Sequence, residues 1–443
     1  MKQTTVLIVD GGGRGSALVA KYSQSPHVQK IIAVPGNDFM KFNSTKPVIT
    51  FPALTTTSVK EILALCQKYK VSLVDVAQDA AVAVGLVDVL EEKGFCVVGP
   101  TKNAGELEWN KAWARDFCKK YSLPQPMYHV FHSQEEGIAF LKSQKNTKWF
   151  VKAAGLCEGK GAFPAENTTQ AIQHILALKQ FGTSGEIYVL EEWLQEKDGT
   201  SGEEFSAFVL SDGVDFQMIG SAQDHKRVGN FDTGENTGGM GCVSKPRVIT
   251  REIQKQIDKI AATTIRAMHN EGRPYKGILY IGGMVINGKV YIVEYNARWG
   301  DPEAQVLVPG ITTDFFTLGM AIAKGNLAKV HVTSDTKVRV SVVAAAKGYP
   351  ASYKDVKGKK IFGIPEALRI PGIHIFGAGI KKLGTHYVVN GGRILHVTGE
   401  GKNVMDAREI AYQAMSRLFV EGNALQYRID IGYRDVERLV QKL

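Results

Sequence analysis

At 443 residues the chain is too long for one hydrophobic core, and its length suggests roughly three domains. Hydrophobic residues make up 44% and charged residues 22%, the balance of an ordinary globular protein rather than a disordered or membrane-embedded one. The formal charge of +10 is spread along the chain without a long basic run, which argues against nucleic acid and fits a cleft for phosphorylated anions.

No stretch approaches the about eighteen apolar residues of a membrane span, and the apolar run Val6–Val9 is too short for a secretory signal. Cys66, Cys96, Cys118, Cys157 and Cys242 are scattered and lack CxxC spacing. They point to a reducing cytoplasm and away from a disulfide framework or a zinc site.

In chain order, apolar runs at Val6–Val9, Ile31–Val34, Leu73–Val76 and Cys96–Val98 predict strands. Helical spacing covers Ser16–Ser23, Val59–Lys68 and Ala80–Glu92. Strand, turn and helix repeated in this way predict a parallel α/β domain over residues 1–103. Its first turn, Asp10-Gly11-Gly12-Gly13-Arg14-Gly15, lets backbone approach a ligand at a helix N-terminus that attracts phosphate; the alternative is a plain tight turn. The turn does not match GxGxxG followed by a placed acid, so a nicotinamide cofactor is not indicated. After a stop at Gly99-Pro100-Thr101 a helix is expected from Ala104 to Tyr121, and Leu123-Pro124-Gln125-Pro126 reads as a linker.

Beyond the linker, strands at Trp149–Ala153 and Ile187–Leu190 flank a helix over Thr169–Lys179. Lys152 ends the first strand and runs into Gly155…Gly159-Lys160-Gly161. A strand lysine on nucleotide phosphates, under a flap of backbone N–H groups, is one reading; a surface hairpin is the other. Glu191 and Glu192 are either a solvated strand end or acceptors for an adenine amino group and ribose hydroxyls. Segments 195–202 and 229–241 read as long loops of the kind that carry function. Between them stand Asp224, His225, Lys226 and Arg227, an acid, an imidazole and two cations that can orient an amine and bind phosphates. His225 alone would be a structural histidine more often than a ligand contact.

A helix over Arg251–Asn270 leads to strands Gly277–Ile286 and Lys289–Tyr295, joined at the hairpin dipeptide Asn287-Gly288. Strand alternation puts Glu294 and Asn296 on one face, and a carboxylate beside an amide oxygen is the hard donor set that Mg²⁺ uses while bridging phosphates. Arg298 falls on the same face with a planar fork for carboxylate or phosphate, just before Gly300-Asp301-Pro302-Glu303. From residue 329 to 443 short β segments at Val338–Ala345, His374–Ala378 and Arg393–Thr398, with a helix near Ala407–Phe419, predict a small α+β domain.

Taken in order, Gly99-Pro100-Thr101-Lys102, Asn110-Lys111-Ala112, Lys152…Lys160-Gly161, Asp224-His225-Lys226-Arg227, Asn236…Gly241, Glu294…Glu303, Asn390…Arg393 and Asp430-Ile431-Gly432 resemble the phosphoribosylamine–glycine ligase family of ATP-grasp enzymes. The resemblance covers nearly the whole chain. It implies an N-terminal domain on the acceptor side, an ATP-grasp domain over 104–328 with a mobile lid over about 124–192, and the C-terminal domain. It also implies ligation of glycine to 5-phosphoribosylamine through a glycyl phosphate, with ATP and Mg²⁺ (or Mn²⁺), giving glycinamide ribonucleotide, ADP and phosphate. The implied partners are those small molecules, with no nucleic acid or membrane, on a monomer or weak dimer.

By the same resemblance Lys111, Lys152, Gly159, Lys160, Gly161, Glu191, Glu192, Trp193, Leu194 and Glu204 hold the nucleotide, and Glu294 and Asn296 the metal. Arg298, Asp224 and Lys226 are the catalytic candidates. Gly12, Gly13, Arg14, Asp79, His225, Arg227, Asn236, Gly238, Gly239, Asp301 and Glu303 are the substrate candidates. The chain departs from the family at Gly15-Ser16, where Glu-His is common, at Ala77-Gln78-Asp79, where Gly-Pro-Glu is expected, at Ala154 in place of Asp, and in extra residues around 196–200. These changes gather on the acceptor side. A related carboxylate–amine ligase with another amine acceptor is therefore the competing reading, and a non-catalytic nucleotide-binding protein a more remote one that Glu294 and Asn296 oppose.

Overall fold

The computed structural model describes residues 4–145, 148–157 and 160–441. Its first layer is a parallel sheet of β1 (Thr5–Asp10), β2 (Lys30–Pro35), β3 (Val48–Thr50), β4 (Leu73–Val76) and β5 (Val97–Val98), in the order β3-β2-β1-β4-β5. β1 is buried along its whole length, as a strand covered on both faces must be, and this explains its unbroken apolar run. The helices α1 (Gly13–Ser23), α2 (Val59–Lys68), α3 (Asp79–Ala83) and α4 (Leu86–Glu92) cover the sheet. The single helix expected over Ala80–Glu92 is broken where Gly85 takes φ +81.

The helix expected from Ala104 to Tyr121 is likewise two, α5 (Lys102–Trp109) and α6 (Lys111–Lys120). Asn110 stands between them at φ −129, ψ 84 and accepts a hydrogen bond from Trp113 N (3.1 Å), capping the second helix. A small antiparallel sheet follows, in the order β6-β9-β7-β8, made from β6 (Tyr128–Phe131), β7 (Trp149–Ala153), β8 (Ala162–Ala165) and β9 (Tyr188–Glu192). Helices α7 (Gln134–Ser143) and α8 (Thr168–Ala177) pack on it, with Trp149, Val151, Tyr188 and Leu190 in its core.

The largest sheet contains β10 (Glu203–Asp212), β11 (Phe216–Asp224), β14 (Gly241–Ser244), β15 (Lys276–Ile286) and β16 (Lys289–Asn296), and α9 (Arg251–Asn270) packs against it. The loop expected at 229–241 contains a short hairpin, β12 (Arg227–Gly229) with β13 (Thr233–Asn236). β17 (Val338–Ala346), β22 (Arg393–Gly401) and β19 (Ile373–Gly377) continue the same sheet through the pairing of β14 with β17, so the order runs β16-β15-β10-β11-β14-β17-β22-β19. The C-terminal unit has its own apolar core around Val342, Val397, Ala407 and Met415, beneath α13 (Val404–Met415). The fold is α/β and α+β in several domains, with a parallel N-terminal sheet. Among the described residues no helix is long and apolar enough to cross a membrane.

Candidate active site

β16 is the edge of the large sheet and is bulged against β15: Gly282 faces Glu294, whereas the next residue, Gly283, faces Ile292. Carbonyls at the bulge therefore have no ladder partner, and side chains from two other elements supply one. Arg115 on α6 donates to Ile292 O (2.9 Å) and Val293 O (2.5 Å), and Lys152 on β7 donates to Val293 O (3.4 Å). Glu191 at the end of β9 accepts from Arg115 Nε (2.7 Å) and pairs with Lys152 Nζ (2.7 Å). All three side chains are buried. Burial pushes the Glu191 carboxyl up, but Arg115 and Lys152 outweigh it and hold the group below the usual carboxylate range.

Beside this network lies a cavity of about 240 Å³. Lys111, Lys152, Gly161, Glu191, Asp224, Lys226, Glu294, Asn296 and Arg298 line it together with Asp79, Asn236, Gly238, Asp301 and Glu303. Apolar surface comes from Leu107, Ala114, Cys118 and Leu156. Lys111 donates to Gly155 O (3.1 Å), while Lys226 Nζ lies 2.8 Å from Glu204 and 3.9 Å from Glu294. Desolvation raises the Glu294 carboxyl, but Lys226, Lys152, Lys111 and Arg298 bring it below its ordinary value. Burial lowers the Lys111 ammonium. Asn296 Oδ1 accepts from Arg298 Nη2 (3.0 Å), and the same guanidinium pairs with buried Glu108 (3.1 Å). Burial lifts Glu108 to about 7 in spite of Arg298.

On the far wall Asp224 Oδ1 is buried without a hydrogen-bond partner, and burial and neighbouring Glu303 push its carboxyl well above the usual range. Gly239 closes against it at φ +105; a Cβ there would lie 2.5 Å from Pro302 and 2.7 Å from Asp224. Glu303 accepts from Ser206 (3.1 Å). Asp301 pairs with Arg393 (3.1 Å) and accepts from Arg14 N (3.0 Å); burial opposes ionisation, yet Arg393, His396 and Arg14 hold it well below the usual range.

The N-terminal loop is already occupied by protein carboxylates. Asp10 accepts from Gly12 N (2.5 Å), Gly15 N (3.0 Å), Arg14 Nε (2.9 Å) and Gln78 Nε2 (2.8 Å), and Asp301 takes Arg14 N. Arg14 also donates to Trp299 O (2.7 Å). A Cβ at Gly15 would meet Asp10 Oδ1 at 2.6 Å, so the Asp10 carboxylate leaves no room for a larger residue there. Next to this loop, a groove of about 640 Å³ at the carboxyl ends of β1 and β4 is lined by Gly11, Gly12, Asn37, Thr50, Thr55, Thr56, Gln78 and, from the C-terminal unit, Lys381 and Asn390. The parallel sheet reverses its order between β1 and β4, the place where open α/β sheets leave a crevice.

The structure thus gathers most of the expected residues around one cavity, but not all. His225 is turned away: its ring is buried against the C-terminal unit, its Nε2 accepts from Gly432 N (3.0 Å), and it does not line the cavity. Arg227 donates outward to Gly234 O (2.7 Å). Gly13 packs beneath Gln305 and His396, away from both openings. Glu192 accepts from Met127 N (2.9 Å), Trp193 packs against Phe150 with the rings tilted by 43° and their centroids 5.0 Å apart, and neither these nor Leu194 and Lys160 line the cavity. Glu204 lines a small side recess shared with Asp224, Lys226 and Glu294. Gly159 lies outside the described residues. Sequence reasoning missed Arg115 and Glu108. Their one available signal is a lone charge on the apolar face of each helix, beside Ala114 and Leu107.

Models of the phosphoribosylglycinamide synthetase family match the chain in three parts: the N domain over residues 4–108, the ATP-grasp (A) domain over 109–304 and the C domain over 339–434. A phosphoribosylamine–glycine ligase of Haemophilus influenzae is 36% identical over 442 residues, covering 99% of this chain and 100% of that protein. Another, of Yersinia pestis, is 37% identical over 439 residues, 98% and 99%. The crystal structure of phosphoribosylamine–glycine ligase from Thermotoga maritima superposes with a TM-score of 0.80 at 29% identity, covering 97% of this chain and all of that one. A biotin carboxylase of Campylobacter jejuni shares the fold at a TM-score of 0.73 and 14% identity, covering 97% and 94%.

Proposed function

The chain belongs to the phosphoribosylglycinamide synthetase family, and from that premise we propose that it ligates glycine to 5-phosphoribosylamine at the expense of ATP, in purine biosynthesis. The observation that carries the site assignment is the convergence of Glu294, Asn296, Arg298 and three lysines, 111, 152 and 226, on one cavity.

Leu107, Ala114 and Leu156 would receive the nucleotide's base, and Lys111 and Lys152 its phosphates. Glu191 serves it indirectly, by fixing Lys152 and Arg115. Glu294 and Asn296 fit Mg²⁺ (or Mn²⁺), because two hard oxygens on one strand face suit an ion that completes its shell with phosphate and water. When bound, such an ion offsets charge on the transferring phosphoryl group.

A carboxylate is a poor electrophile, so the glycine carboxylate first attacks the γ-phosphorus and ADP leaves. The amine nitrogen then attacks the carbonyl carbon of the glycyl phosphate, phosphate departs, and the nitrogen loses a proton. Arg298, held by Glu108 and Asn296, presents its guanidinium to the carboxylate and to the acyl phosphate formed from it. Asp224, unpartnered at Oδ1, is the candidate to take the amine's proton as its carboxylate, the form that Lys226 and Arg393 favour against burial and Glu303. Asp79 and Asp301, which line the same cavity, face the acceptor from the N-terminal side. The acceptor's ribosyl phosphate fits the groove beside Gly11, Gly12 and Gln78, since the amides of the first helix turn are held by Asp10 and Asp301. Five scattered thiols, Cys66, Cys118 and Cys242 of them buried, suit a reducing cytoplasm.

Purified protein with ATP, Mg²⁺ and glycine, with and without phosphoribosylamine, tests this reading. Glycinamide ribonucleotide and ADP should form in equal amounts only when both substrates are present. ADP formation with other amines but not with phosphoribosylamine would reject the assigned acceptor.

A further inference from the structure

We propose that Arg428, in the C-terminal unit, is a positioning residue that fixes segment 224–239 and so sets Asp224, Lys226, Asn236 and Gly238 at the cavity. The inference rests on the function assigned above for its kinetic arm, and on geometry alone for its structural arm.

Within its own domain this segment is held by few bonds once β11 ends. His225 N donates to Gly241 O, Met240 N to His225 O and Thr237 N to Lys226 O. The outer turn, residues 230–235, is mostly exposed. Further anchors come from residues 428–434, some two hundred positions later in the chain. Arg428, fully buried, spreads its fork over Asp430 Oδ1 and Oδ2 (2.8 and 2.7 Å), Asp232 Oδ1 (2.8 Å) and Arg227 O (3.1 Å). Asp430 then accepts from Phe231 N (2.6 Å), and Asp232 also takes Tyr433 Oη (3.1 Å) and Arg434.

A second observation is independent of these bonds. Phe231 and Asp232 are consecutive non-glycine residues at φ +52 and +55, a conformation that persists only where the surroundings over-determine it. The atoms that hold it are those of Arg428 and Asp430. His225 fits the same design. Burial, with Arg428 and Arg434 nearby, takes its imidazole down to about 3, so it stays neutral and accepts from Gly432 N without adding charge beside the guanidinium. Arg428 holds the carbonyl of Arg227, the residue after Lys226, and Lys226 must hold its ammonium between Glu204 and Glu294. The segment's far end is pinned from the same unit, where Tyr349 Oη accepts from Gly238 N (3.1 Å) and Arg393 donates to Gly238 O (2.5 Å).

The test compares Asp232→Asn, Arg428→Gln and Arg428→Lys in the full chain. Asp232 is about a quarter exposed, so its variant leaves the buried core alone. In Asp232→Asn and Arg428→Gln, amide exchange at 226–240 should quicken about tenfold or more while exchange in β7, β9, β15 and β16 is unchanged. KM for glycine or for the amine should rise about tenfold with KM for ATP within about twofold, and Arg428→Lys should recover part of both effects. Unchanged exchange at 226–240 in Asp232→Asn, or an equal rise in KM for ATP, would overturn the proposal. A wild-type protein that makes no glycinamide ribonucleotide defeats the assigned function alone, and the exchange comparison still decides this one.

Discussion

Replacing Glu191 with glutamine removes one negative charge from between two buried cations while keeping the volume. Glu191 is 2% exposed, Arg115 5% and Lys152 7%, so solvent cannot take over its role. Taking away one partner of a buried ion pair costs about 3–5 kcal/mol, because the stranded charge stays desolvated. Arg115 keeps its bonds to Ile292 O and Val293 O, which argues for the lower end. At about 3 kcal/mol the opening equilibrium of the small sheet should rise roughly a hundredfold. Hydrogen exchange followed by mass spectrometry should record that increase in β7 and β9, where Val151 faces Leu190, and little change in β1 or β4. The same substitution should raise KM for ATP about tenfold, because Lys152 loses the carboxylate that aims it. Exchange within about twofold of wild type and an unaltered KM would refute the reasoning, and the ion-pair network would then be incidental to nucleotide binding.

Glu294→Ala should lower kcat for ADP formation about a thousandfold or more with an unchanged circular dichroism spectrum, since its side chain is partly exposed and its work is on phosphates; turnover like wild type would remove it from the metal site. Asp75, buried against Tyr22 Oη (2.8 Å), is raised by burial from 3.8 to about 7, so the folded state keeps a proton that the unfolded state loses between those values. Stability should therefore fall as pH rises from about 4 to about 7, by up to ~4 kcal/mol, and Asp75→Asn should melt higher than wild type at pH ~8 with the gap closing toward pH ~4. A gap independent of pH would contradict the assignment. His225, lowered to about 3 from 6.5, acts in the opposite direction: the unfolded state takes up a proton first as pH falls, so stability drops below pH 6.5 by about 1.4 kcal/mol per unit. His225→Gln, which retains an acceptor for Gly432 N, should flatten thermal stability between pH ~7 and ~5, and parallel curves for the two proteins would count against a buried neutral imidazole.

What could be read from the sequence divides along a physical line. α2 and α9 were legible to the residue because each carries an amphipathic stripe between clear stops, and β4 because it is a short apolar run. β10 and β11 were not. β10 is buried along nearly its whole length and so shows no alternation, and β11 includes Gln217 and Gln223, which look like loop residues. Their partners are distant: Gln217 donates to Leu327 O and Val330 O, and Gln223 to Glu203 and Glu204 O. The site follows the same division. Glu294 and Asn296 share a face through strand alternation, a local property, whereas Arg298 lies in the bend beyond the end of β16, and all three line the cavity. The commitment of Glu191 to Arg115, of Asp10 to the first helix turn and of His225 to Gly432 depends on contacts across the fold, which no local pattern encodes.

The pairing of β14 with β17 bears on how the molecule can be divided. Gly241–Ser244 is only four residues long, yet it is the sole strand linking β11 to β17 in the described sheet. A chain cut between residues 304 and 339, where the matched family models leave a gap, would leave β14 with an open row of N–H and C=O groups and strip the cover from Val243. Exposed edges of this kind invite pairing with other chains. The ATP-grasp and C-terminal parts are therefore separable as text but not as material: one sheet runs unbroken through the seam that the family models draw between them.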